Sequence, residues 1–267
     1  MRSTSHFPAS PFPRRSTGML MAVAAVAALT ACGASAATPA TPASRAGSGE
    51  RAATGVRVLW MGDSIAGTQA PALEAALTAA GARFKDATSD GGGTVVAGDH
   101  PVTVMAAKDS WKRLKDDLRS FRPTVIAYQI TTYDWGTPGE QLAAYRRLTR
   151  TAKDAGARLV LVTAPPFKLD EFYLPHEKAI ENAPGMAAKA AGAGFLDAAE
   201  LWGRDHTADQ AKRAKDGIHS CQQGSAAFAT WFTARLGRLA GFTPADPGTW
   251  ATGSWTADER FVKLGCG

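Results

Sequence analysis

The sequence holds few of the residues that build a metal centre or a disulfide scaffold. Three cysteines in 267 residues include no C-x-x-C pair, and no H-E-x-x-H is present, so zinc has no support and no cofactor is expected. A chain of this length buries a full core without either device. No internal repeat is visible. No apolar run reaches the about 20 residues that a helical membrane span needs. A basic stripe interleaved with aromatics is also missing. The formal charge is +6, but Arg2, Arg14 and Arg15 supply +3 of it within residues 1–31, which carry no acid. The basic cluster Lys112, Arg113 and Lys115 runs straight into Asp116 and Asp117, as on a solvated helix face. Nucleic acid is therefore not an expected partner, and the chain is expected to be a monomer.

What is present begins with a targeting signal. Arg14 and Arg15 flank an apolar run, residues 18–31, of export-signal length. It ends in Leu29, Thr30, Ala31 and Cys32, which resembles the lipobox of bacterial lipoproteins. Residues 1–32 thus read as a lipoprotein signal peptide, with Cys32 as the lipidation site and the outer face of the cell membrane as the destination. The rival is Ala34-Ser35-Ala36, an A-x-A site that would release a secreted protein. Residues 33–54, rich in Ala, Thr, Pro, Ser and Gly, bury too little apolar surface to order and read as a tether. Residues 55–267 read as one folded domain. With Cys32 assigned to the anchor, Cys221 and Cys266 remain as an even pair in an oxidising compartment. They read as a disulfide, with two buried thiols as the alternative.

Within the domain, short apolar runs alternate with amphipathic ones. Strands are expected at residues 56–61, 124–131, 158–163 and 194–197. Helices are expected at 71–80, 110–121, 139–155, 178–191 and 225–239, with an irregular loop from Pro165 to about residue 175. Strands alternating with helices imply parallel strands, right-handed crossovers and a three-layer α/β/α sandwich. Ligands then bind beyond the carboxyl ends of the strands.

Directly after the first strand stands Met61-Gly62-Asp63-Ser64-Ile65, a turn that would expose a serine at a helix start. Asp216-Gly217-Ile218-His219 near the C-terminus pairs a carboxylate with an imidazole at three-residue spacing. A serine hydroxyl needs an adjacent base near neutral pH, and an imidazole needs a carboxylate to fix its tautomer. Taken together, in this chain order, the two blocks resemble those of the SGNH/GDSL hydrolases. That resemblance implies a flavodoxin-like parallel sheet, with Ser64 as nucleophile, His219 as base and Asp216 as its orienting acid. It further implies an esterase, acyl hydrolase or O-acyltransferase acting on acyl esters, with acetylated cell-wall glycans as the expected substrate. A non-catalytic glycan-binding lipoprotein on a degenerate scaffold is the alternative. Gly92, in the Gly91-Gly92-Gly93 run, matches the family's oxyanion glycine. The family's Gly-x-Asn-Asp block reads here Thr131-Thr132-Tyr133-Asp134. Asp134 fits, but Tyr133 stands where the oxyanion asparagine belongs, with Tyr133, Thr132 or Gln129 as its replacement. Trp135, just beyond, is a candidate sugar-stacking platform.

Overall fold

The structure, a computed structural model, describes residues 53–266. The signal peptide, Cys32 and nearly all of the tether lie outside the described residues.

Five parallel strands, β1 (Arg57–Met61), β2 (Arg83–Asp86), β3 (Val125–Gln129), β4 (Arg158–Val162) and β5 (Phe195–Leu196), form one sheet in the order β2-β1-β3-β4-β5. The two-residue period of a strand explains the layers. Val58 and Trp60 of β1, Val125 and Ala127 of β3, and Val160 and Val162 of β4 enter one core. Leu59 and Met61, Ile126 and Tyr128, and Leu161 enter the other. Central strands buried on both faces read as continuous apolar runs, as these do. Helices α1 (Ser64–Ala79), α2 (Pro101–Ser120), α3 (Pro138–Asp154), α4 (Glu177–Ala191), the one-turn α5 (Ala199–Trp202), α6 (Gln222–Ala240) and α7 (Glu259–Lys263) complete the domain. The first core packs α1 and α6 on the sheet through Leu73, Leu77, Phe228 and Phe232. The second packs α2, α3 and α4 through Leu114, Leu148 and Ala187. The expected three-layer flavodoxin-like sandwich is the observed one.

Two helices start more than a turn earlier than their sequence suggests. The first begins at Ser64, directly after the turn, so Pro71 sits inside it and not at its start. Proline has no N–H, which orphans the carbonyl four residues back, that of Gly67. Arg260 of α7 supplies the missing donor: Nη1 lies 2.9 Å from the Gly67 oxygen, and Nη2 reaches Asp86 at 2.8 Å. The second, α2, begins at Pro101 with the His100 ring accepting from the N–H of Val102. Proline at a first helical position has a preset φ and no donor to waste.

The C-terminal segment is also tied covalently. Cys221, the N-cap of α6, is bonded to Cys266 across 45 residues. In the chain-entropy account a loop of that size stabilises by about 4 kcal/mol. Reduction with dithiothreitol is therefore expected to lower the urea midpoint clearly, and an unmoved midpoint would show the bridge to be idle.

Candidate active site

The site forms where β1, β3 and β4 end and the strand order reverses around β1, the usual ligand position in open sheets. The nucleophile turn is shaped by Asp63. Its buried carboxylate accepts from the N–H of Ile65 at 3.0 Å, capping α1. Its second oxygen accepts both the N–H and the hydroxyl of Thr132, each at 2.8 Å. Burial pushes this carboxyl up, and those donors oppose the rise. One side chain thus fixes the serine turn and the loop after β3 against each other. Ser64, as first residue of α1, has an N–H without a helical acceptor.

The base arrives on a closed turn near the C-terminus. Nε2 of His219 lies 2.9 Å from Oγ of Ser64, and Nδ1 lies 2.6 Å from Oδ2 of Asp216. The other oxygen of Asp216 accepts from the N–H groups of Ile218 and His219 at 2.8 and 3.0 Å. Three-residue spacing therefore does two jobs, since the carboxylate caps its own turn and holds the ring. Arg213 braces the turn from both ends. It donates to the carbonyls of Ala211 and Ile218 and to Oγ of Ser220, and its guanidinium lies 5.1 Å from the Trp202 ring. The N–H of Ala214 donates to the His219 carbonyl at 2.7 Å. Sequence reasoning singled out neither Asp63 nor Arg213, because their partners are distant or backbone atoms.

Burial disfavours ionisation of Asp216, but hydrogen bonds from His219 and from the two N–H groups outweigh it and hold the carboxyl below its ordinary range. A depressed folded-state pKa contributes stability that is complete above the unfolded value of about 3.9 and is lost as pH falls through the folded value. The Tm gap between wild type and Asp216→Asn should persist to about pH 5 and close below about pH 4. A gap that stays open at pH 2 would contradict this account.

Three expectations about the oxyanion region change. Gly92 does not offer a free donor, because its N–H closes a turn on the Ser89 carbonyl at 3.3 Å. Its φ of +90 and the Tyr133 ring, 2.9 Å from where a Cβ would stand, explain why glycine is needed. Gly93 has no hydrogen-bond partner for its N–H among the described residues and packs so tightly on Gly62 that a Cβ would sit 2.5 Å from the Gly62 carbonyl oxygen. Asp134 is no substrate ligand. It is wholly buried and accepts from the hydroxyls of Thr94, Tyr128, Tyr145 and Thr131 at 2.5, 2.6, 2.7 and 3.0 Å. Burial pushes its carboxyl up while those donors oppose. Trp135 is 3% exposed and sandwiched between Tyr133 and His176, with its Nε1 donating to Thr132, so it offers no open face. Among the asparagine's three replacements, Gln129 is buried against Gln69 and the Thr132 hydroxyl is spent on Asp63. Tyr133 remains, half-buried and packed edge-to-face against Tyr173, a residue of the irregular loop, at 6.1 Å between ring centroids. That loop also donates from Lys168 N–H to the Gly217 carbonyl at 2.9 Å, so it walls the site from Tyr133 to the histidine turn.

Among the described residues no group of metal-ligating side chains occurs, and no helix is long and apolar enough to cross a membrane. No curated protein matches the chain in sequence. Solved structures resemble it in fold. A proposed acylhydrolase from Bacteroides fragilis NCTC 9343 aligns with a TM-score of 0.52 at 13% identity, over 71% of this chain and 90% of that one. A GDSL-like lipase from Bacteroides thetaiotaomicron VPI-5482 aligns with a TM-score of 0.51 at 13% identity, over 68% and 88%. The family described as "SGNH domain (fused to AT3 domains)" matches residues 31–221. With a serine at the head of α1, an imidazole on it and that match across most of the chain, the protein belongs to the SGNH hydrolases, enzymes that act on acyl esters.

Proposed function

We propose that the protein is an exported serine esterase, or O-acyltransferase, in which Ser64 attacks an ester carbonyl and forms an acyl-enzyme. The observation that carries this reading is the unbroken chain Ser64 Oγ, His219 Nε2, His219 Nδ1, Asp216 Oδ2, at 2.9 and 2.6 Å. Imidazole takes the hydroxyl proton as the carbon–oxygen bond forms, and returns it to the leaving alcohol. Asp216 holds the tautomer and stabilises the imidazolium. The negative oxygen of the tetrahedral intermediate is received by the N–H groups of Ser64 and Gly93, with the Tyr133 hydroxyl in place of the family's asparagine. Water, or a sugar hydroxyl, then attacks the acyl-enzyme. The lipobox at Cys32 supports anchorage at the outer membrane face, and that location favours acetylated cell-envelope glycans as substrate. A glycan-binding scaffold without turnover is the second reading, favoured only by the altered third block.

A fluorophosphonate probe separates the two readings, because phosphonylation needs an activated nucleophile. Labelling should map to Ser64 and disappear in Ser64→Ala. Long incubation with acetylated glycans and small aryl esters should release acetate, or place acetyl on an added sugar. A folded wild type that neither labels nor turns over any ester leaves the scaffold as the better account.

A further inference from the structure

Beside the histidine turn lies a pocket of about 350 Å³ whose lining includes Asp216 and Gly217. Lys168, Lys212, Lys215, His206, Asp209 and Arg213 also line it. None of the three lysines is ion-paired among the described residues. Asp216 is committed to His219, which leaves Asp209 as the one other acid in the lining, among the described residues, beside Lys168, Lys212, Lys215 and Arg213.

Arg213 adds an independent observation. Its three hydrogen bonds go to two carbonyls and a hydroxyl, and among the described residues no carboxylate lies within ion-pair distance. Burial pushes its pKa down to about 10, against the attraction of Asp216. A cation withdrawn from water without a counter-charge is costly, and an anion beside it recovers that cost. Lys212 holds a left-handed conformation, φ 49 and ψ 45, and packs against α6, where a Cβ at Gly224 would sit 2.9 Å from the Lys212 carbonyl oxygen. Lys168 and His206 close over Gly217, whose missing Cβ would meet them at 3.2 and 3.9 Å.

We infer that this pocket is an anion subsite, which receives a carboxylate or phosphate group carried by the ester substrate on the Asp216 side of the histidine turn. The inference rests on the esterase reading and narrows it to acidic esters, such as a uronate-bearing or phosphodiester-bearing glycan. The shared chemistry is a small oxyanion held by lysines and a guanidinium.

Binding and turnover are measured separately. Wild-type protein is titrated by calorimetry with inorganic phosphate, with an oligomer of galacturonic acid, and with a neutral xylan oligomer. At least one anion should bind more tightly than the neutral sugar, and more weakly at high salt. Whichever anion binds identifies the source. Affinity for it should drop by about five- to tenfold in Lys168→Gln/Lys212→Asn, where asparagine tolerates the left-handed backbone. Circular dichroism verifies that the variant folds. In kinetics, the ratio of kcat/KM for an anionic aryl ester to that for its neutral analogue should fall by a similar factor. Anions that bind no better than the neutral sugar, or an unchanged affinity in the folded variant, overturn the subsite. A wild type that binds the anion yet turns over no ester would instead count against the esterase reading alone.

Discussion

Alanine in place of His219 is expected to slow acylation of Ser64 by about 10⁴- to 10⁶-fold while the protein remains folded. The imidazole is the only base within hydrogen-bond distance of the Ser64 hydroxyl among the described residues, at 2.9 Å. Without it the alcohol must lose its proton to water. Asp216→Asn should cost about 10⁴-fold. The amide presents an N–H where Nδ1 needs an acceptor, and so favours the wrong tautomer. Stopped-flow labelling with a fluorophosphonate separates these losses from binding defects, because chemistry alone is followed. A rate within tenfold of wild type for His219→Ala would remove the imidazole from the mechanism. Loss at His219 with none at Asp216 would keep the base and discard its orienting acid.

The largest loss of stability is expected at Asp134, away from the chemistry. Its two oxygens are the common acceptor of four hydroxyls, from Thr94, Tyr128, Tyr145 and Thr131, and of the Thr131 N–H. Alanine there leaves several buried donors without a partner, each costing about 1–3 kcal/mol unless water enters. A total of about 4 kcal/mol corresponds to a Tm lower by about 8–16 °C for a domain of this size. The milder change Asp134→Asn keeps one acceptor oxygen and should lose less. Activity should fall as well, because the same loop carries Thr132 and Tyr133. A midpoint within a degree of wild type in Asp134→Ala would show that the network is not what holds this loop.

The parts of the site legible in the sequence are those whose chemistry is local. The serine turn follows its strand directly, and Asp216 reaches His219 within one turn of chain, so both can be read from neighbouring letters. The sheet is legible because β1, β3 and β4 are short apolar runs between amphipathic segments. What escapes depends on contacts across the chain. Pro71 looks like a helix start until Arg260, far along the sequence, supplies the donor that lets α1 run through it. Asp134 matches its motif, yet two of its partners, Thr94 and Tyr145, lie 40 residues before it and 11 after it, so its burial cannot be read from spacing. Trp135 suggests an open rim because it follows the third block; His176, on the far side of α3 in the chain, covers its face. Gly92 and Gly93 are interchangeable as letters, and only the turn on Ser89 separates them.

The bond from Arg260 to Gly67 carries an evolutionary consequence. A proline at position 71 makes the helix that bears the nucleophile dependent on a residue nearly two hundred positions downstream. Positions 71 and 260 therefore form a coupled pair. A descendant that loses the arginine gains by replacing the proline with a residue that restores the helical N–H. One that loses the proline releases the arginine to drift, subject only to its bond with Asp86. The C-terminal segment, in that sense, is inherited together with the proline it compensates.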